Sequence, residues 1–158
     1  MNPDIVRTFS AKFILGLLGI ALLMTSMPAR AELGGNVSTI QADQEHLKGT
    51  RLVTANASYT VHEIQVPTGT KVREFVSPAG AVFAVAWQGR STPDLHQLLG
   101  AYFDQYTQAV QNKRVKRGPV SIQLNGLVVE AGGHMRSFSG RAYVPQMIPQ
   151  GVAAQTIQ

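Results

Sequence analysis

The residues of this chain best placed to do chemistry are a histidine and a glutamate, His62 and Glu74, in two neighbouring strand-like runs. A Pro-Thr-Gly turn joins the runs, and its glycine supplies the left-handed residue of a three-residue hairpin loop. The register set by this loop places His62 directly opposite Glu74. A carboxylate there holds the imidazole and raises its pKa, as in a general acid–base couple or part of a metal site. The other interpretation, which we favour, is a polar cross-strand pair partly covered by a helix, because no nucleophile or third ligand accompanies the two residues.

Other catalytic or metal-binding patterns are missing from the sequence. His46, His96 and His134 are scattered, and no two histidines have the i, i+4 spacing that puts two ligands on one helical face. The absence of cysteine excludes thiol catalysis, Cys-ligated zinc and disulfides. There is no G-x-S-x-G elbow, P-loop or dinucleotide fingerprint. We therefore expect no metal and no cofactor, and a protein that is not an enzyme.

Two further features are candidates for binding. Trp87 stands at a strand end, where partial exposure would make it an anchor for a partner. A basic cluster follows a predicted helix, and it either makes a weak contact with an anionic surface or, as we favour, lies solvated beside the negative end of the helix dipole. The members of this basic cluster are Lys113, Arg114, Lys116 and Arg117.

The first 31 residues have the pattern of a cleaved secretory signal peptide. Arg7 and Lys12 give a positive start, the apolar run at 13–24 is short for a membrane span, and Ala29-Arg30-Ala31 supplies the small residues of a cleavage site. An uncleaved anchor is the alternative. Cleavage leaves 127 residues, enough for one domain, with no membrane span expected in the mature chain.

The charge is local and not general. The net charge of +5 falls to +3 on cleavage, and the basic cluster supplies four positive charges, so the rest of the mature chain sums to −1. We therefore expect no nucleic-acid partner.

The pattern along the mature chain predicts an α+β fold. Residues 32–58 are weakly patterned, with a short helix inside 37–51. Strand-like runs at 59–66, 70–76 and 81–87 form an antiparallel meander, in which Ile64 faces Val72 and Glu74 faces Ala84. The third run is apolar on both faces and should lie inside the sheet.

One amphipathic helix is predicted next, from a Thr92 N-cap to Asn112, packed on the sheet. A hairpin around Asn125-Gly126 follows, and Gly132-Gly133 separates it from a further strand at 134–144. We thus expect a single α+β domain over 59–145 and an extended or frayed tail over 146–158.

Several stretches of the chain carry a resemblance to a known family. They are Leu33-Gly34-Gly35, Tyr59–Glu63, Val72–Pro78, Val82–Gly89, Pro93-Asp94-Leu95, Leu98–Phe103 and Ser139–Pro145. In these the chain resembles domain of unknown function 2844, a family of small exported proteobacterial proteins. The resemblance implies a periplasmic or secreted location in a Gram-negative bacterium, and it implies no activity or site residues.

Three functions remain open. The first is an exported, non-catalytic domain that binds an envelope partner or ligand through its sheet face or rim. The second is a small envelope hydrolase that uses His62 and Glu74. The third is an assembly accessory protein that pairs an exposed strand edge with a client.

Overall fold

The protein is described by a computed structural model over residues 32–113 and 118–158. The predicted signal peptide and three members of the basic cluster, Arg114, Lys116 and Arg117, therefore lie outside the described residues. Within those residues, seven strands form one antiparallel sheet with helices packed on it. The α+β class is confirmed, and the sheet is larger than the predicted three-strand meander.

The sheet combines two meanders. In chain order the elements are α1 (Ile40–Leu47), β1 (Thr50–Ala55), β2 (Thr60–Gln65), β3 (Lys71–Val76), β4 (Val82–Gly89), α2 (Leu95–Leu99), α3 (Phe103–Asn112), β5 (Val120–Leu124), β6 (Leu127–His134) and β7 (Ser137–Tyr143). The spatial order is β1-β2-β3-β4-β7-β6-β5. The helices α2 and α3 thus carry the chain from the centre of the sheet to one edge, and the strands return inward until β7 pairs with β4.

The predicted register of the β2–β3 hairpin is confirmed. Ile64 pairs with Val72, and His62 pairs with Glu74. The N–H of Val66 donates to the Thr70 carbonyl at 2.8 Å, which closes the three-residue loop.

The predicted register of the next hairpin is wrong by one residue for most of its length. Phe75, and not Glu74, stands opposite Ala84, and Glu74 stands opposite Val85. The cause is an irregularity opposite Phe75 and Val76, where Phe83 is an extra, unpaired residue of β4 and shifts the ladder beyond it.

Strand β4 lies at the centre of the sheet, as its apolar faces predict. It is buried along the six residues 82–87 and pairs with β3 on one side and β7 on the other. Val85 and Trp87 contribute to the core beneath the helices, whereas Phe83 packs with Ile157 on the opposite face. Both faces of the sheet centre are therefore covered.

The predicted single helix is interrupted. It begins after Asp94, whose side chain accepts hydrogen bonds from two backbone N–H groups, so Asp94 and not Thr92 is the N-cap. It breaks at Gly100, where φ is +49° and a Cβ would overlap the Glu32 side chain. Only glycine satisfies both conditions.

Residues 32–58 contain more structure than expected. They include α1, inside the predicted interval, and β1 at the sheet edge. Leu33 is buried and donates its N–H to the Leu98 carbonyl at 3.0 Å, and Ile40 is fully buried. A few apolar residues thus dock this segment although its pattern is weak.

The C-terminal segment also differs from the expected tail. Residues 145–147 and 154–156 form 3-10 turns, and Ile157 is fully buried. Arg141 donates to the Ala154 carbonyl at 3.0 Å, and Arg73 donates to the Gln158 carbonyl at 2.7 Å. These contacts hold the segment on the sheet face opposite the helices.

The hairpin around Asn125-Gly126 is confirmed, but the expected break at Gly132-Gly133 is wrong. Strand β6 continues through both glycines to His134, and the chain turns at Met135-Arg136, where Arg136 has φ +65°. A Cβ at Gly133 would overlap backbone atoms of β7, so this glycine allows close strand pairing.

None of the helices in the described residues is long and apolar enough to cross a bilayer.

The packing of Trp87 on Gly140 gives a testable contrast between two strand glycines. A Cβ at Gly140 would overlap the indole ring, whereas a Cβ at Gly132 would meet Pro119 at an ordinary 3.6 Å. We expect Gly140→Ala to lower the free energy of unfolding by about 1–3 kcal/mol. Gly132→Ala should change it by less than about 0.5 kcal/mol. Urea unfolding followed by tryptophan fluorescence measures both, and equal effects would contradict the packing.

Candidate functional site

The predicted pair of His62 and Glu74 is brought together, but its electrostatics are not those expected. The two residues are 8% and 1% exposed. Burial, followed by the charge of Arg51, lowers the pKa of His62, whereas burial raises the pKa of Glu74 well above its usual value of 4.5. Both shifts favour the neutral forms, so the prediction that Glu74 raises the pKa of this histidine is wrong.

The partner of Glu74 is a second carboxyl group. Asp43 lies on α1, fully buried, between Ile40 and Leu47 of the same helix. The Gln97 side-chain amide of α2 donates to Asp43 Oδ1. Burial raises the pKa of both carboxyl groups, and the proximity of Asp43 raises that of Glu74 further. Both side chains are therefore shifted toward their neutral forms.

This carboxyl pair, Asp43 and Glu74, joins three elements beneath the surface. It ties α1 to β3 directly and to α2 through Gln97. In residues 32–113 and 118–158, no three His, Asp or Glu side chains are grouped as a metal site requires. A neutral, solvent-excluded carboxyl does not reach a substrate, so the geometry suits an internal clamp better than an acid–base catalyst.

Sequence reasoning missed Asp43 and misplaced Gln97. Asp43 follows Ile40 by three residues and precedes Leu47 by four, so it occupies the apolar stripe of α1. That spacing was a usable indication of a buried carboxylate. One continuous amphipathic helix would place Gln97 on its solvent side, but α2 has only five residues and buries Gln97, Leu98 and Leu99 in succession.

Trp87 is not the exposed anchor that was expected. It is 3% exposed and stands opposite Gly140, whose missing side chain leaves room for the indole ring. Tyr102, Phe103 and Tyr106 are partly buried against the core beneath the helices. These aromatic residues contribute to packing.

Lys113 is the one member of the basic cluster within the described residues. It is exposed at the end of α3, and its Nζ donates to the Ser121 carbonyl of β5 at 2.7 Å. The amine thus covers part of the β5 edge of the sheet.

A shallow, open cleft of about 570 Å³ lies beside β5–β7. Its walls include Glu130, Arg141 and Ile157. Arg141 contacts Glu130 at 2.6 Å and also donates to tail carbonyls, so its charged groups satisfy each other.

The β1 edge is the most exposed regular element of the described chain. All six of its residues are exposed, with Leu52 at 66% and Val53 at 49%. Its pairing with β2 runs without a bulge, and within the residues that the structure describes no other strand pairs with its outer side.

The outward backbone groups of β1 follow from its hairpin with β2. Asn56 donates its N–H to the Tyr59 carbonyl at 2.9 Å, which marks this pair as hydrogen-bonded. Because hydrogen-bonded and non-hydrogen-bonded pairs alternate, Arg51, Val53 and Ala55 direct their N–H and C=O groups away from β2. This edge therefore offers six backbone groups in an extended row.

The other edge, β5, is better protected. The alternation from the Leu124–Leu127 pair directs the backbone groups of Ser121 and Gln123 outward, and Lys113 occupies the Ser121 carbonyl. Helix α3 also packs near this strand. The two edges thus differ in what is available to a partner.

The carboxyl pair predicts an unusual pH dependence of stability. The raised pKa of Glu74 means that this carboxyl group is protonated in the folded state at pH values where it is ionised in the unfolded chain, so its contribution to stability falls as the pH rises above 4.5. Glu74→Gln removes this ionisation. We expect the stability of Glu74→Gln relative to wild type to increase steadily between about pH 5 and pH 9 in urea unfolding.

Glu63→Gln is the control, on the neighbouring strand. A hydrogen bond from Arg73 lowers the pKa of Glu63, so its contribution to stability is fully present above pH 4.5 and is lost only in more acidic solution. The difference between this variant and wild type should stay constant over the same range. A constant difference for Glu74→Gln would contradict the neutral assignment.

Gln97 provides a second test of the internal clamp. Gln97→Ala removes the amide that donates to Asp43 and leaves a buried carboxyl oxygen without that donor. We expect a loss of about 1–3 kcal/mol in unfolding free energy. The exposed Gln111→Ala should change it by less than about 0.5 kcal/mol, and an equally small effect at Gln97 would argue against the clamp.

Comparisons with known proteins agree with the resemblance seen in the sequence. The family model DUF2844, described as a protein of unknown function, matches residues 29–157, nearly the whole chain. No curated protein and no solved structure matches this chain. On the extent of that match, the chain belongs to the DUF2844 family of proteins of unknown function.

Proposed function

We propose that this chain is an exported, non-catalytic binding protein of the Gram-negative cell envelope, and that a partner polypeptide adds a strand at its β1 edge. Export is supported by the leader pattern, with its basic start and Ala29-Arg30-Ala31. The observation that carries the binding proposal is that every residue of β1 is exposed, with Leu52 at 66%.

An extended polypeptide is the ligand that this edge fits. The outward groups of Arg51, Val53 and Ala55 recur every second residue, which is the spacing of another β-strand. Strand addition uses such main-chain groups for affinity and adjacent side chains for specificity. Leu52 and Val53 favour apolar residues in the partner, and Arg51 favours an acidic one.

β1 also lacks the usual devices that protect a sheet edge. It contains no proline and no bulge, and Arg51 is its only charged residue. Natural sheets block unwanted pairing with exactly such features, so an edge without them is suited to pairing.

The hydrolase alternative has no supporting observation in the geometry. Its proposed base and acid, His62 and Glu74, are buried and shifted toward their neutral forms. The carboxyl group of Glu74 lies beside that of Asp43.

Proline substitution tests the binding edge with little effect on the fold. The N–H of Val53 points away from β2, so Val53→Pro removes an outward donor and keeps the β1–β2 ladder. Gln123→Pro is the matched control, because its N–H also points outward, on the β5 edge. A partner is first isolated from envelope extract with the wild-type protein and then purified. We expect Val53→Pro to bind this partner at least about 10-fold more weakly, and Gln123→Pro to bind it like wild type.

Hydrogen exchange locates the contact directly. The amides of Arg51, Val53 and Ala55 should exchange rapidly in the free protein and slowly in the complex. Wild-type affinity for Val53→Pro, or protection confined to other strands, would overturn the proposal.

A further inference from the structure

We infer that a second copy of this chain is a partner of the β1 edge, so that two seven-stranded sheets join antiparallel about a two-fold axis at Val53. This inference rests on the proposed function, because it uses the same edge. The occupant is inferred from the spacing of the outward backbone groups of β1.

The backbone of β1 is self-complementary in one register. Its outward residues, Arg51, Val53 and Ala55, are spaced symmetrically about Val53. In an antiparallel copy, Val53 faces the other Val53, and each Arg51 faces the Ala55 of the other copy. All six outward groups of each strand then find partners, because every hydrogen-bonded pair exchanges two bonds.

Neighbouring registers are less favourable. A shift of either strand leaves outward groups of Arg51 or Ala55 without a partner. A larger shift also brings the two Arg51 side chains opposite each other, and like charges directly opposite are destabilising. The charge of Arg51 therefore selects against the wrong alignments and is tolerated in the symmetric one.

The exposed side chains fit the same arrangement. The two Val53 side chains meet on the face that carries the helices, and β-branched cross-strand pairs are favourable there. On the opposite face Leu52 lies across from Thr54 of the other copy and diagonal to its Leu52. The two large apolar side chains that β1 exposes are thus covered by the same contact.

The assembly stops at two copies. Each copy contributes its β1 edge, the less protected of the two sheet edges in the described residues, since Lys113 occupies a carbonyl of β5 and α3 packs near that strand. A two-fold contact through a single edge is closed and does not continue into a filament.

The dimer should be weak. One pair of six-residue strands buries less than the ~1,200 Å² of a stable interface. We therefore expect a dissociation constant in the micromolar range, on the order of 1–100 μM.

Sedimentation of the purified protein between about 1 and 500 μM tests the dimer. The wild type and Gln123→Pro should pass from monomer to dimer over this range, whereas Val53→Pro should remain monomeric. Circular dichroism and thermal unfolding show that each variant is folded. A wild type that stays monomeric at every concentration would overturn the inference.

Single cysteines test the register, since the chain has none of its own. Hydrogen-bonded antiparallel pairs place their Cα atoms about 5.5 Å apart, within the span of a disulfide. We expect Val53→Cys to form a disulfide-linked dimer under mild oxidation much faster than Leu52→Cys, whose side chains are diagonal, and Gln123→Cys to remain monomeric. Faster linkage through Leu52→Cys would overturn the alignment at Val53.

The two proposals fail in different ways. A monomeric wild type whose binding to a purified partner is still lost in Val53→Pro overturns the second copy and supports strand addition. Partner binding and self-association that both survive Val53→Pro overturn both.

Discussion

The structure depends on a central strand, β4, whose two faces must both be buried. β4 is buried along residues 82–87, so both faces of the sheet must be covered where it lies. Helices cover one face, and the segment after β7 covers the other with Ile157. Burying apolar surface on two sides supplies the stability that a chain without disulfides must obtain from its core. β1 is the strand farthest from β4 on its side of the sheet, and the burial of side chains ends there.

The core beneath the helices contains a cluster of three polar side chains, Asp43, Glu74 and Gln97, in which the two carboxyl groups are shifted toward their neutral forms. A buried carboxylate next to another would be costly, and burial together with their proximity shifts Asp43 and Glu74 toward their neutral forms. Gln97 then satisfies an oxygen of Asp43. Because the three side chains come from α1, β3 and α2, their hydrogen bonds align the N-terminal helix on the sheet in a way that apolar contacts alone do not specify.

Local sequence rules predicted the elements whose geometry is local. The two-residue Asn125-Gly126 turn and the Pro-Thr-Gly turn before Thr70 each set a register that the structure contains. The irregularity opposite Phe75 and Val76 was not predicted, because no turn residue marks it. The close approach of Glu32 to Gly100 likewise joins residues that are distant in sequence.

The candidate sites also combine features that the sequence predicts with features that it does not. The pairing of His62 with Glu74 follows from the strand register. The raised pKa of Glu74 depends in part on Asp43, a residue of α1 that no spacing rule connects to it. The exposure of β1 was also missed, since residues 32–58 are weakly patterned and no strand was predicted among them. The identity of the edges is a property of topology, and topology was fixed here by the return of β7 to the centre.

That return has a consequence for the order in which the molecule is completed. β7 is the last strand of the described chain, yet it fills the place between β4 and β6. A nascent chain that ends before residue 137 leaves β4 with one unpaired side, and one that ends before Ile157 leaves Phe83 uncovered. Closure of the core therefore waits for β7 and for the segment that reaches Ile157, so the first four strands cannot complete the sheet by themselves.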